Sequence, residues 1–241
     1  MTPIPSSLIE TCATPYPDAG TLRLHPQPEA LARPERDRPG RNRFDDPEAR
    51  VAVRYTATRL VGCLRETLAR FRPSPEAEAI LSEIAGIDAD DFDPSADDAD
   101  GIAHWLDAQR VGTVRVLDVG SFVDVEHDAA LVAFDKHPAV CAALERLDRS
   151  ARLDVAYLRL GGHLGRPVSQ SVGVAVREWL PEALGIGYRS RLATDEPCWA
   201  IWEHVNVEVT SIPLDPGNAQ HADAVRTVAA RYEIRLPNAW A

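Results

Sequence analysis

Apolar residues return every three or four positions at Ala57, Leu60, Val61, Leu64, Leu68 and Phe71. This is the spacing of one face of an α-helix, and a strand with that set would scatter it over both sides of a sheet. The face has to be covered, so the rest of the chain must fold over it. Upstream, Asn42 to Phe71 reads as a loop carrying Arg43, a short strand ending at Tyr55, and then the helix. Glu66 stands off the apolar stripe and projects away from it. Two readings of this carboxylate are open. One is an i to i+4 ion pair with Arg70 on a solvated face. The other is a group that meets a ligand, which the missing side chain of Gly62 on the same face would let approach closely.

The remaining pattern is one of short strands and uneven helices. Strands are expected at Thr21 to His25, Val114 to Val119, Asp154 to Leu160, Gly185 to Arg191, Cys198 to His204 and Val205 to Ser211. Helices are expected at Pro138 to Leu147, at Ser169 to Leu180 with Ser169 or Ser171 as cap, and at Ala222 to Tyr232. This irregular alternation predicts an α+β fold with a mixed or antiparallel sheet and flanking helices. A chain of 241 residues is most economically one domain, here with an acidic insertion at about 73–109.

Charge is unevenly spread. The formal net charge is −11 with a pI near 5.1, so the molecule as a whole repels phosphate backbones and anionic membranes, and neither nucleic acid nor membrane is expected as a partner. Lys136 is the single lysine. Arginine therefore supplies nearly all positive charge, in a planar fork suited to phosphate and carboxylate. Between Leu31 and Arg72 stand eleven arginines against six acids, which marks a candidate anion site. From Pro73 to Gln109 there are eleven Asp and Glu and no Lys or Arg. That segment reads as a solvated insertion of which residues 76 to 107 could be removed, as a cover for the arginine-rich mouth, or as a dock for a basic partner. It lacks the ligand alternation, glycine and closing glutamate of a calcium loop.

Other polar clusters carry weaker signals. Asp124, Glu126, His127, Asp128 and His137 could ligate a metal, but no metal-site spacing organises them and a polar loop is the plainer reading. Gly161 to Pro167 lacks the spacing of a phosphate loop and reads as a turn. Cysteines 12, 63, 141 and 198 have neither zinc-site spacing nor disulfide density, so reduced thiols are expected. No basic-then-apolar leader opens the chain and no run is long enough to span a bilayer, so a cytoplasmic location is expected.

Three stretches resemble the RES domain family, which is named for an Arg, a Glu and a Ser. They are Arg43-Phe44 with Tyr55-Thr56-Ala57 and Glu66; Gly185 to Arg191 followed by Cys198 to Trp202; and Leu22-Arg23-Leu24. The long acidic segment and the Arg41-Asn42 pair depart from the family pattern. The resemblance implies a fold like that of the ADP-ribosyltransferases and a cleft for NAD. It also implies cleavage of NAD with water or inorganic phosphate as acceptor, as a glycohydrolase or phosphorylase, often as the toxin of a toxin-antitoxin pair. Glu66 would stabilise positive charge on the ribose, since a carboxylate there favours the transition state over the ground state, or would orient a 2′- or 3′-hydroxyl or the attacking acceptor. Arg43 and Arg23 would hold phosphate groups; Tyr55 would stack on nicotinamide or is a core residue with its hydroxyl satisfied at the strand edge; and Ser190 would bond a carboxamide or ribose hydroxyl or is a turn serine. Arg41, Arg54 and Arg191 are supporting candidates, no metal is expected, and the partner would be a cognate antitoxin protein. The alternative is a catalytically silent protein of the same fold that keeps the anion site and binds a partner.

Overall fold

The computed structural model describes residues 7–26, 42–73, 95–148 and 150–241. Its strands are β1 (Ala13–Thr14), β2 (Thr21–His25), β3 (Val53–Ala57), β4 (Arg110–Val116), β5 (Phe122–Asp124), β6 (Gly185–Arg189), β7 (Pro197–Trp202) and β8 (Val207–Pro213). They form one sheet in the order β1-β5-β6-β7-β3-β2-β4-β8. Every neighbouring pair is antiparallel except β5 with β6. The fold is thus α+β with a mixed sheet, as the pattern of elements predicts. The parallel pair is the one that needs a long crossover, and four helices fill it: α4 (Asp128–Phe134), α5 (Pro138–Leu147), α6 (Val155–Arg159) and α7 (Gly162–Trp179). The others are α1 (Ser7–Cys12), α2 (Leu60–Leu68, extended by a 3₁₀ turn Ala69–Phe71), α3 (Ser95–Asp107) and α8 (Ala219–Tyr232).

Two apolar cores result. The larger gathers Phe122, Phe134, Val172, Val176 and Trp202 among the crossover helices and the sheet. The smaller gathers Leu64, Leu68, Ile102, Leu106, Val225, Val228 and Trp240, and so joins α2, α3 and α8. Leu64 and Leu68 are fully buried, each worth roughly 2 kcal/mol of transfer free energy. The apolar stripe therefore does organise its side of the molecule, with α8 packed on α2 and the Tyr232 hydroxyl donating to the Arg65 carbonyl at 3.2 Å. Ala57, however, ends β3 and not the helix. Among the described residues no helix is long and apolar enough to cross a membrane.

Several local expectations change. Asp154 to Leu160 is helical over Val155–Arg159, because the Asp154 side chain accepts from the Tyr157 amide at 2.8 Å and caps a turn that the apparent alternation hides. Helix α7 starts at Gly162, well before Ser169, and takes in Pro167. Ser169 and Ser171 are therefore interior residues whose hydroxyls donate back to the Arg166 and Val168 carbonyls. Gly165 permits this early start, since a Cβ there would sit 2.1 Å from the Leu160 carbonyl oxygen. Tyr55 lies in the middle of β3 and not at its end. The expected strand from Val114 to Val119 lies instead at Arg110–Val116.

Most of the acidic segment, including the short helix that the spacing of Ala79-Ile80, Ile84 and Ile87 predicts, lies outside the described residues. Its last part is α3, whose Ile102 and Leu106 are buried in the smaller core. The reading of a wholly solvated insertion fails there, because acidic and apolar residues share that helix and the apolar ones face inward.

Candidate functional site

Three positions of one register row, Tyr188, Cys198 and Ala57, form the floor of a cleft. Tyr188 pairs with Cys198, Cys198 with Ala57, and Ala57 with Leu22, so four adjacent strands contribute neighbouring positions to that row. Above this floor lies a cavity of about 410 Å³ lined in part by Arg23, Arg43, Tyr55, Glu66, Arg166, Tyr188 and Arg191. Helix α2 makes one wall with Gly62, Cys63, Glu66 and Thr67, and the α6–α7 junction contributes Leu160 and Gly161. Four arginines thus face one carboxylate among the lining residues, a field that favours an anionic ligand. The guanidinium groups of Arg166 and Arg191 form no ion pair or hydrogen bond with any described residue, so both are available to such a ligand.

Glu66 is exposed to the cleft, and it does not pair with Arg70. Arg70 instead lies over Phe71 and Trp105, 4.8 and 5.0 Å from the ring centres. The Glu66 carboxylate accepts a short hydrogen bond from the Ser190 hydroxyl. Ser190 is fully buried, and its oxygen accepts in turn from the Leu192 and Ala193 amides, each at 3.1 Å. Two backbone donors on the oxygen leave its proton directed at Glu66. The serine holds the glutamate, and it is not among the residues that line the cleft.

Arg43 has a divided role. Its Nη1 and Nη2 donate to the Arg189 carbonyl at 3.0 Å and the Leu158 carbonyl at 2.8 Å, while Nε is buried without a partner among the described residues. The guanidinium also lies 5.1 and 5.0 Å from the rings of Phe44 and Tyr188. Burial draws its pKa below the ordinary arginine value, against the opposing influence of Tyr188, Glu126 and Glu66. Arg43 therefore ties its own loop to β6 and α6 while it lines the cleft.

Tyr55 latches the same loop. Its hydroxyl accepts from the Phe44 amide and donates to Asp45, both at 2.9 Å, and burial pushes its pKa well above the ordinary tyrosine value. Behind it Asp46 is buried between Arg50, at 2.9 Å, and Arg177, at 3.4 Å. Burial works against the Asp46 charge, yet hydrogen bonds from Arg50 and the Glu48 amide outweigh it and hold its carboxyl below the ordinary aspartate value. The arginine-bearing segment is therefore braced where residues 42–50 are described.

Gly62 lines the cleft, but the space its missing side chain leaves is taken by protein and not by a ligand. A Cβ there would fall 2.3 Å from Cγ of Glu196, so the space above Gly62 belongs to that buried carboxylate. Glu196 accepts from the Arg59 amide at 2.7 Å and from the Arg59 guanidinium at 2.7 Å. A carboxylate placed at the N-terminus of α2 also complements its dipole.

The remaining candidates resolve as follows. Arg23 lines the cleft from β2. Arg54 is buried in β3 and is not a lining residue, Arg191 is one, and Arg41 lies outside the described residues. His127 and His137 use Nδ1 to cap α4 and α5 at the Ala129 and Ala139 amides. Glu126 receives a two-pronged bond from Arg159. No group among the described residues is arranged to hold a metal. The described cysteines are free. Cys63 and Cys198 reach the cleft as unreactive thiols, with burial pushing Cys63 up to about 12 and Cys198 higher still.

Sequence reasoning misses Glu196, Asp195, Arg166 and Tyr188. The first two sit in a short connection whose meaning depends on a helix more than a hundred residues away in sequence. Tyr188 was visible only as part of the glycine-led block. Compared with models of known protein families, with curated proteins and with solved structures, the chain has no match in any of the three.

Proposed function

We propose that this protein cleaves the bond between nicotinamide and ribose in NAD, with water or inorganic phosphate as acceptor. The observation that carries the reading is the convergence of Arg23, Arg43, Tyr55 and Glu66 on one cleft, with Ser190 bonded to Glu66. Departure of nicotinamide as a neutral group leaves positive charge on the ribose, which an oriented carboxylate stabilises. In this reading Glu66 faces the ribose, and Arg23, Arg166 and Arg191 meet phosphate oxygens through forked hydrogen bonds. Arg43 contributes its positive charge. Tyr55 and Tyr188 offer aromatic surface to a flat base. An ADP-ribosyltransferase-like arrangement of the sheet and a role as the toxin partner of a protein antitoxin belong to the same proposal.

One observation favours the silent alternative: both terminal nitrogens of Arg43 are already bonded to protein carbonyls. Thermal melts separate binding of this ligand class from its absence, because a ligand specific to the native state raises apparent stability by mass action. NAD is expected to raise Tm more than NADP, and an oligonucleotide not at all. No shift with either nicotinamide nucleotide counts against the reading.

A further inference from the structure

Glu196 is a fully buried carboxylate that no step above uses. Its position is set on both sides of the cleft wall. Through its side chain it holds the first turn of α2, at the Arg59 amide and guanidinium. Through its backbone it closes the turn that carries Ser190: the Ser190 amide donates to the Glu196 carbonyl at 3.1 Å, and the Glu196 amide donates to the Ala193 carbonyl at 2.8 Å. Next to it Asp195 pairs with Arg59 at 3.2 Å and Arg65 at 3.0 Å. At the far end of the helix face, Ser190 bonds Glu66.

The 190–196 turn is therefore fastened to α2 at both ends of a stretch that rises about 1.5 Å per residue from Arg59 to Glu66. The eight residues from Arg59 to Glu66 and the turn facing them are thus tied together at both ends. A buried carboxylate without these bonds would carry a large desolvation cost, and losing one partner leaves that cost uncompensated. Gly62 is the concession the sequence makes to it, since any larger residue collides with Glu196.

We infer that Glu196 is a positioning residue for the candidate active site: by clamping the Ser190 turn to the first turn of α2, it fixes where the Ser190 hydroxyl meets Glu66. The inference rests on the proposed NAD chemistry only for its kinetic consequence. Its structural content stands without it.

The test is Glu196→Gln, which keeps the shape, leaves an oxygen for the Arg59 amide, and turns a donor toward the Arg59 guanidinium. Amide hydrogen exchange followed by NMR reads the clamp directly. The Leu192 and Ala193 amides are expected to exchange on the order of tenfold faster in the variant. A residue that merely caps the helix would speed exchange only in the first turn of α2. With NAD as substrate, kcat is expected to fall by about tenfold to a hundredfold while KM stays within about twofold, because the carboxylate is displaced rather than the ligand site removed. Combining it with Ser190→Ala should cost little more than Ser190→Ala alone, since both act through one contact.

If Glu196→Gln does not fold, Gly62→Ala displaces the same carboxylate and is judged by the same amides. Wild-type exchange at Leu192 and Ala193 in a folded variant overturns the inference. A wild-type protein that leaves NAD intact overturns the proposed function, and the exchange result still decides the clamp.

Discussion

Tyr55→Phe separates two roles for one residue. The substitution keeps the ring, and with it any stacking on a bound base, but removes the hydroxyl that accepts from the Phe44 amide and donates to Asp45. Phe44 is fully buried, so its amide is left without a partner away from water. An orphaned buried donor costs about 1–3 kcal/mol. Asp45 loses less, because the Asn42 amide and side chain still donate to its other oxygen at 2.8 and 3.1 Å. A loss near ~2 kcal/mol lowers Tm by about 4–8 °C for a chain of this size. Thermal and urea unfolding followed by circular dichroism provide the measurement, with an unchanged m-value showing that only stability moved. Loosening the loop also frees Arg43, so KM for NAD is expected to rise severalfold with a smaller change in kcat. A variant within about 0.5 kcal/mol of wild type would refute the latch and leave Tyr55 as a stacking surface alone.

Three further outcomes follow from the described contacts. Leu106→Ala should cost about 2–4 kcal/mol in urea unfolding, because a fully buried side chain leaves a cavity in the smaller core; a neutral result would mean that α3 contributes little to that core. Asp46, whose folded pKa is depressed, contributes stability above the ordinary aspartate range that is lost as pH falls through its folded value. Asp46→Asn should therefore flatten the acid limb of the stability profile, and an unchanged limb speaks against the Arg50 and Arg177 pairing. Arg43→Ala should weaken NAD binding in calorimetry and also lower Tm by a few degrees, since it removes two bonds to backbone carbonyls; loss of binding with no change in Tm would contradict the bridging role.

The helix stripe and the strands from Gly185 onward were legible because their signals are local: apolar periodicity, glycine punctuation and β-branched or aromatic runs. The mixed sheet was legible from the alternation of short elements, but its register was not. The row Tyr188–Cys198–Ala57 that builds the floor depends on pairing between segments distant in sequence. Side-chain capping defeated the reading at Asp154, where one hydrogen bond turns an alternating pattern into a helix. Glu66 could be chosen because it breaks a stripe, whereas Glu196 sits in an undistinguished turn and gains its meaning only when α2 arrives beside it. Gly62 shows the same limit, since the absence of a side chain is visible in sequence and the group that fills the space is not.

The most direct test is incubation of the purified protein with NAD and quantification of free nicotinamide, with and without inorganic phosphate, for wild type and Glu66→Gln. Among the described residues Glu66 has no ion-pair partner, and it accepts a hydrogen bond from Ser190, which the glutamine oxygen can also accept, so the variant should melt within a few degrees of wild type. The expected result is nicotinamide release by wild type and a loss on the order of a hundredfold or more in Glu66→Gln, with a phosphate-dependent rate marking phosphorolysis and a phosphate-independent one hydrolysis. Absence of nicotinamide from the folded wild-type protein, or wild-type release by Glu66→Gln, would contradict a cleft in which this carboxylate stabilises the departing charge.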